Sequence, residues 1–415
     1  MRPAARYLLF GNRLPGLQLG FATDIYSVDG SRYSSFLSLP GATYTRAGAA
    51  TAETAAGAII NFAANVPRVT NRGILIEEAR TNLALRSAEL GVSPWSLLNA
   101  TVTANATTAP DGTTTADKVV EDATTNPHGI FQSPTVVAGQ AYTQSCFAKA
   151  AERDFLVMTE GNNVTATAVF NLSTGVVSSV TGNGSPSATI TALADGWYRC
   201  SLTFTPIATP ANLQIRASNA ASSAAYAGTP GSGIFAWGAQ FELGAFPTSY
   251  IPTTGAAATR AADRPRNAVV VNEGTIVVEG VAPASFAGAN SPALVSATST
   301  DSLSSYLLPI FAASGAISTL RKSTGGTGST INTANTVAVN APFKFAVSFG
   351  AGGTDFCCLN GGAVASSAGL ALPYANTQLR TGWWDTNPIE LNSYAARVRV
   401  FPQRLSAAEL QALTT

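Results

Sequence analysis

Apolar and polar residues alternate over short runs along most of this chain, and helical spacing is almost absent. In WYRCSLTFT, Tyr198, Cys200, Leu202 and Phe204 share one face of an extended strand. Arg199, Ser201 and Thr203 take the other face, together with Trp197. TATAVFNLSTGVVSSV reads as two strands around an Asn-Leu-Ser-Thr-Gly turn, and TIVVEGVAP, FKFAVSF and ARVRVF repeat the alternation. The clearest helix is LSAAELQALTT at the C-terminus. There Leu405, Leu410 and Leu413 share a face, and Ser406 is placed to cap with Glu409 three residues on. Many short strands separated by turn residues predict a mainly β chain of sandwiches or barrels.

The pattern weakens at two places, and these set the expected boundaries. Residues 40–72 are rich in Ala, Thr and Gly, and residues 253–268 (TTGAAATRAADRPRNA) hold no large apolar side chain. The second stretch therefore reads as a linker. The expected organisation is an N-terminal segment over residues 1–80, a β-sandwich over 81–252, the linker 253–268, and a second sandwich over 269–415. The first segment carries few apolar anchors (Tyr7, Leu8, Leu9, Phe10, Phe21, Phe36 and Leu37). It is expected to gain order only by packing on other subunits.

Composition sharpens this picture. The chain has 415 residues, enough for two or three domains, and is 46% hydrophobic but only 11% charged. Soluble domains average about 25% charged residues. With 24 basic and 23 acidic residues the net charge is +1, and there is no Lys/Arg stripe of the kind that neutralises nucleic-acid phosphates. No apolar run approaches the roughly 18 residues of a membrane-spanning helix. The opening MRPAARYLLFGNRLPG lacks the ~7–15-residue apolar region of a secretory signal, so synthesis without export is expected. Cys146, Cys200, Cys357 and Cys358 have no zinc-type spacing and are expected reduced on strands. A Cys146–Cys200 disulfide is the alternative if their strands pair.

Two stretches of the chain resemble known families. GIFAWGAQFELGAFPTSYIPTTGAAATRAAD resembles the end of a jelly-roll, carbohydrate-binding-module-like domain found in phage tail-fibre and head-spike proteins. RGILIEEARTNLALRS, TAPDGTTTADKVVE, GQAYTQSCFAKA, FNLSTG and DGWYRCSLTF are similar to the same family, in the same order. The resemblance spans roughly residues 20–263. GTIVVEGVAP, FKFAVSFGAGGTDFCCLNGG and YAARVRVFPQRLSAAELQAL resemble a concanavalin A-like, laminin-G-type sandwich, with Asn360-Gly361 as a tight-turn signal. The resemblance implies two antiparallel β-sandwich (jelly-roll) domains in tandem after an extended anchoring segment. It also implies a virion location and partners among capsid, portal or tail proteins. Assembly as a homo-oligomer and a bacterial surface glycan as ligand follow from it too. Such sandwiches often carry a bracing calcium ion. Here a structural calcium stays open without assigned ligands, Asn82 and Glu242 being the sort of oxygen carriers available, and no other cofactor is expected.

Catalytic groups are sparse. Glycoside hydrolysis usually needs two facing carboxylates. The nearest pairs are Glu77/Glu78, Asp117/Glu121, Glu121/Asp122 and Glu152/Asp154. Adjacent residues on a strand point to opposite faces, and Glu152/Asp154 reads as a charged strand end. The single histidine, His128, follows a proline in an expected surface turn, and no G-x-S-x-G motif occurs. Aromatics are the better lead, because sugars lay their apolar faces on exposed rings. Trp237 alternates with Phe235 and Phe241, so all three are expected in one core, and Trp95 is expected to pack. Trp197 and Tyr198 form one candidate carbohydrate platform. Trp383 and Trp384, pointing to opposite faces with Asp385 and Asn387 beside them, form another. The expected function is a fibre or spike subunit that binds host-cell polysaccharide. A glycan-degrading tailspike and a purely structural decoration protein are the alternatives.

Overall fold

A computed structural model describes residues 15–415 except 287–290, 300–304, 324–325, 327, 371–374 and 385–388. The fold is mainly β. The chain forms two compact units, and both are discontinuous. One gathers the described residues up to Gly48, Ala63–Glu78 and Ala261–Thr415. The other gathers Ala49–Phe62 and Ala79–Arg260.

The second of these, the inserted unit, is a sandwich of two six-stranded antiparallel sheets. One runs Ser96–Leu98, His128–Gln132, Leu213–Ser218, Phe155–Thr159, Thr167–Asn171, Val176–Thr181. The other runs Ala100–Thr107, Ala116–Glu121, Gly233–Leu243, Tyr142–Ala150, Trp197–Phe204, Ser187–Ala192. Alternation supplies the core as expected: Cys200, Leu202 and Phe204 from one sheet meet Ile130, Leu156, Met158, Leu213 and Ile215 from the other. Cys146 lies opposite Cys200 in the strand register, yet both thiols are free and buried. Burial pushes the Cys146 thiol up to about 12. Cys357 and Cys358 are likewise free and buried.

The expectation for Trp237 needs correction. Ile234, Ala236, Ala239 and Phe241 face the main core, whereas Trp237 and Phe235 face a second cluster with Phe147, Trp197 and Tyr250. The parity changes at Gly238, whose φ is 63°, opposite a register shift between Ser145 and Phe147. A Cβ at Gly238 would sit 2.8 Å from the Phe147 ring. One extra residue in the strand moves every later side chain to the other face.

Gln144 lies in the same core. Its register partners, Leu202 and Phe241, both belong to the apolar cluster. The residue is fully buried, and neither amide atom has a hydrogen-bond partner among the described residues. Desolvation of the amide is therefore uncompensated. Gln144→Leu is expected to stabilise this unit by about 1–2 kcal/mol, read as a higher melting temperature. An unchanged or lower value would mean that the amide is satisfied in solution.

The other unit is a sandwich of a ten-stranded and a seven-stranded sheet. Along the larger sheet run Ser31–Tyr33, Ile25–Val28, Leu17–Gly20, Ser393–Phe401, Gly274–Val281, Pro342–Phe349, Thr354–Leu359 and Ala365–Ala368. Gly73–Ile76 also pairs with Ser393–Phe401. The smaller sheet runs Ser329–Asn332, Ile317–Lys322, Tyr306–Phe311, Val295–Thr298, Gln378–Thr381, Arg264–Ala268, Ala42–Thr45. Between the two sheets, Leu19, Phe21, Phe36, Ile276, Phe345 and Phe311 form one core. Asn360 and Gly361 turn the chain after Thr354–Leu359 with left-handed backbone, φ being 50° and 65°. The helix Ala407–Thr414 is capped as expected, with the Glu409 amide donating to the Ser406 hydroxyl and the Ser406 amide donating to the Glu409 carboxylate. Its Leu410 and Leu413 pack with Leu405, Val277 and Ala346.

Two expected segments therefore differ from the observed fold. Leu17, Leu19, Phe21 and Phe36 of the N-terminal segment are built into this chain's own core, because Leu17–Gly20 pairs with Ser393–Phe401, whereas Leu37 is exposed. Tyr7, Leu8, Leu9 and Phe10 lie outside the described residues. The stretch 253–268 is not a bare linker: it contains the strands Ala258–Arg260 and Arg264–Ala268 and the fully buried Asp263. Its polar composition is accounted for by ion pairs inside the fold. Asp263 accepts hydrogen bonds from Arg46 Nη1 at 3.3 Å, Arg68 Nε at 3.2 Å and the Glu77 amide at 2.9 Å. The Tyr44 hydroxyl and Arg68 Nη2 also donate to it. Arg68 Nη1 reaches Glu77 at 2.7 Å.

Candidate functional site

Several of the candidate acidic groups are engaged with the protein itself, whereas Asp154 is exposed. Asp117 accepts from the Leu90 amide at 2.7 Å and the Asn105 amide at 2.9 Å, and burial raises its carboxyl above the ordinary range. Burial would also raise Glu121, but bonds from Arg153, Tyr226 and the Thr229 amide outweigh it and hold that carboxylate low. Glu152 pairs with Lys118 at 2.7 Å. His128 occupies a buried strand position rather than the expected surface turn. Its ring nitrogens lie 2.7 Å from the Asn99 carbonyl and 3.2 Å from the Tyr226 carbonyl, and its ring packs edge-on against Tyr226. Asn82 and Glu242 spend their side-chain oxygens on protein donors: Asn82 on the Ala84 and Phe241 amides, Glu242 on Gln240 and Thr248. Among the described residues no group of three His, Cys, Asp or Glu side chains is arranged to hold a metal ion.

The aromatic candidates separate. Trp197 is buried, with Nε1 donating to the Thr108 carbonyl at 3.1 Å. This corrects the expectation of an open ring opposite the apolar face of its strand, because that second face is covered in turn by Ile59, Ala109 and Tyr250. Tyr198 is half-buried against the main core and lies over Gly175, so it does not share a platform with the buried Trp197. Trp383 and Trp384 do point to opposite sides. Trp383 is buried, donates to the Pro265 carbonyl at 2.7 Å, and has the guanidinium groups of Arg264 and Arg380 over its ring at 4.9 and 5.0 Å. Trp384 is half-buried beside Tyr306, ring centres 5.5 Å apart and tilted by 56°.

The Tyr306–Trp384 pair packs on a small apolar cluster in which Leu308 and Ile389 are buried and Ile310 and Leu320 are partly buried. Alternation in Tyr306–Phe311 builds it: Leu307 and Phe311 enter the core between the sheets, leaving Tyr306, Leu308 and Ile310 on the outer side. The indole Nε1 of Trp384 is buried, without an acceptor among the described residues. Asp385 and Asn387 lie outside the described residues.

A second feature has no local signal in the sequence. In the inserted unit a shallow surface depression, too tight to enclose a water molecule, is lined by Val157, Arg216, Ser218, Ser222, Ser223 and Tyr226 among others. The alternation of LQIRAS places Gln214, Arg216 and Ser218 on one polar face. The walls come from distant segments, so only the fold assembles the depression.

No protein-family model matches the chain, and no curated protein matches it in sequence. Among solved structures it is similar to the CBM40 of a Ruminococcus gnavus IT-sialidase, at 17% identity over 35% of this chain and 84% of that one, with a TM-score of 0.27. It is similar to domains LG4-5 of the mouse laminin α1 chain, at 13% identity over 69% and 89%, TM-score 0.23. It is also similar to the tail fibre protein gp63.1 of an E. coli phage, at 9% identity over 80% and 41%, TM-score 0.18. All three likenesses are loose.

Proposed function

We propose that the chain is a fibre or spike subunit of a phage or phage-like particle that binds bacterial surface polysaccharide. The observation that carries the binding part is the Tyr306–Trp384 pair, two half-buried, tilted rings over a small apolar cluster on the outer sheet face. Such rings take the C–H faces of a pyranose. Binding without cleavage is favoured over a glycan-degrading tailspike because the candidate carboxylates Asp117, Glu121 and Glu152 are tied to protein donors. In this reading the partners are capsid, portal or tail proteins, the location is the virion after synthesis in the host cytoplasm, and several copies multiply a weak sugar contact by avidity.

Trp384→Ala is expected to weaken binding of the purified protein to its host cells roughly tenfold, the equivalent of about 1.4 kcal/mol, with little change in melting temperature. Trp383→Ala should instead destabilise its unit by about 3–5 kcal/mol, because its ring is buried. Cell binding that survives Trp384→Ala in a folded protein would remove this platform from the function.

A further inference from the structure

The edge strand of a sheet leaves a row of backbone N–H and C=O groups unpaired, and folded proteins usually blunt it. Most edges of this molecule are blunted. Ser31–Tyr33 and Ser96–Leu98 span three residues, and Ala42–Thr45, Ser329–Asn332 and Ala365–Ala368 span four. Val176–Thr181 and Ala100–Thr107 are longer, but a register shift breaks the pairing of each. Ser187–Ala192 has none of these devices. It is six residues long (SATITA), holds no charge and no proline, and pairs in unbroken register with Trp197–Phe204. It ends the order of its sheet, so its other side carries no strand.

The register settles which groups face outward. Just past the strand, the Leu193 amide donates across to the Trp197 carbonyl at 2.8 Å. Hydrogen-bonded and non-hydrogen-bonded pairs alternate along an antiparallel ladder. Thr191, Thr189 and Ser187 are therefore the residues bonded to Arg199, Ser201 and Thr203. Ala188, Ile190 and Ala192 turn their N–H and C=O groups away from the sheet, and they make no backbone bond to another segment among the described residues. Side chains alternate as well: Ala188 and Ile190 pack on the core, while Thr189 and Thr191 are exposed.

This outward row is its own complement. With two copies antiparallel about a two-fold axis through Ile190, Ile190 meets Ile190, Ala188 meets Ala192, and Thr189 meets Thr191 of the second copy. Each outward N–H then finds a carbonyl. Aliphatic side chains meet on the core side and threonines on the other, the kinds of cross-strand pair that stabilise sheets. Centring the pair on Thr189 sets Ala192 against Pro186, which has no N–H. Centring it on Thr191 sets Ala188 against the turn Ala194–Gly196. This self-match favours a second copy over a strand from another protein.

We propose that Ser187–Ala192 is a contact between two copies of this chain, joining their six-stranded sheets through an antiparallel strand pair centred on Ile190. The inference rests on backbone geometry and stands apart from the glycan reading. Six residues a side is small against the roughly 20–30 of a standard interface, so the pair is expected to dissociate on dilution, with a Kd on the order of 1–100 µM.

Sedimentation of the full chain over a concentration series should show reversible dimers. Thr189→Lys combined with Thr191→Lys sets like charges opposite each other across the axis and should weaken association at least about tenfold. Thr189→Lys combined with Thr191→Glu sets lysine opposite glutamate in this register and should keep association within about threefold of the unmodified chain. Both variants lose the Thr189–Ser201 side-chain bond of 2.7 Å, so they cost the fold alike, and equal melting temperatures check this. In the dimer the Ala188, Ile190 and Ala192 amides should exchange with deuterium at least about tenfold more slowly than in the double-lysine variant. An unmodified chain that stays monomeric at every concentration overturns the proposal, as does equal association of the two double variants. A dimer whose three amides exchange unprotected is held by another surface and overturns it too. Trp384-dependent cell binding is measured separately, so the glycan reading can stand or fall without this contact.

Discussion

Asp263→Ala should cost the unit that contains it about 3–5 kcal/mol, a large share of the 5–15 kcal/mol that holds a typical domain together. The carboxylate is fully buried and faces two fully buried guanidinium groups, Arg46 and Arg68, with the Tyr44 hydroxyl also donating to it. Burial, with Asp263 beside it, drives the Tyr44 hydroxyl well above its ordinary value, so Tyr44 stays a neutral donor. Removing the acid takes from Arg46 the counter-charge it shares and leaves Arg68 with Glu77. Asp263→Asn keeps the shape but not the charge, and should lose less than alanine. Urea unfolding checks this through the tryptophans: Trp383 and Trp384 report on this unit, and Trp95, Trp197 and Trp237 on the other. The transition of the first should shift while the second holds. If neither moves, the network adds nothing to stability.

Trp237→Ala should have an effect of similar size on the inserted unit, about 3–5 kcal/mol. The residue is 2% exposed, its ring centre lies 4.6 Å from that of Tyr250 and 5.4 Å from that of Phe147, and Nε1 donates to the Thr115 hydroxyl at 3.0 Å. Truncation empties the middle of the cluster that covers the outer face of one sheet. Trp237→Phe retains most of the contact, so its loss should be smaller and limited to the hydrogen bond and the missing ring. Thermal unfolding with both variants distinguishes packing from the polar contact. Equal and small losses would show that the cluster reorganises around the gap.

How much of this is legible in the sequence depends on the distance over which each signal acts. The capped C-terminal helix is readable, because Ser406 and Glu409 are neighbours and the motif is local. The inward faces of the strands are readable where one side meets the core, as with Cys200, Leu202 and Phe204. Trp197 escapes such a reading because alternation distinguishes two faces but cannot say that both are covered. Trp237 escapes it because a single residue at Gly238 reverses the parity. Asp263 is hidden in a stretch of alanines, and its meaning appears only when Arg46 and Arg68 arrive from far along the chain. The opposed tryptophans at 383 and 384 follow from extended geometry alone. The depression beside Arg216 does not, since its walls are separated by long stretches of sequence.

The pairing of Leu17–Gly20 with Ser393–Phe401, and of Ala42–Thr45 with Arg264–Ala268, sets an order for biosynthesis. At roughly 5–20 residues per second the early strands wait on the order of tens of seconds before their partners leave the ribosome. Before Ser393–Phe401 emerges, Ala49–Phe62 and Ala79–Arg260 are already complete and can close into the inserted sandwich. The other sandwich must then assemble from pieces that flank a finished unit in the same polypeptide, by contacts of very high sequence separation, which are the slow ones. Its unpaired strand edges are open to other chains for that time.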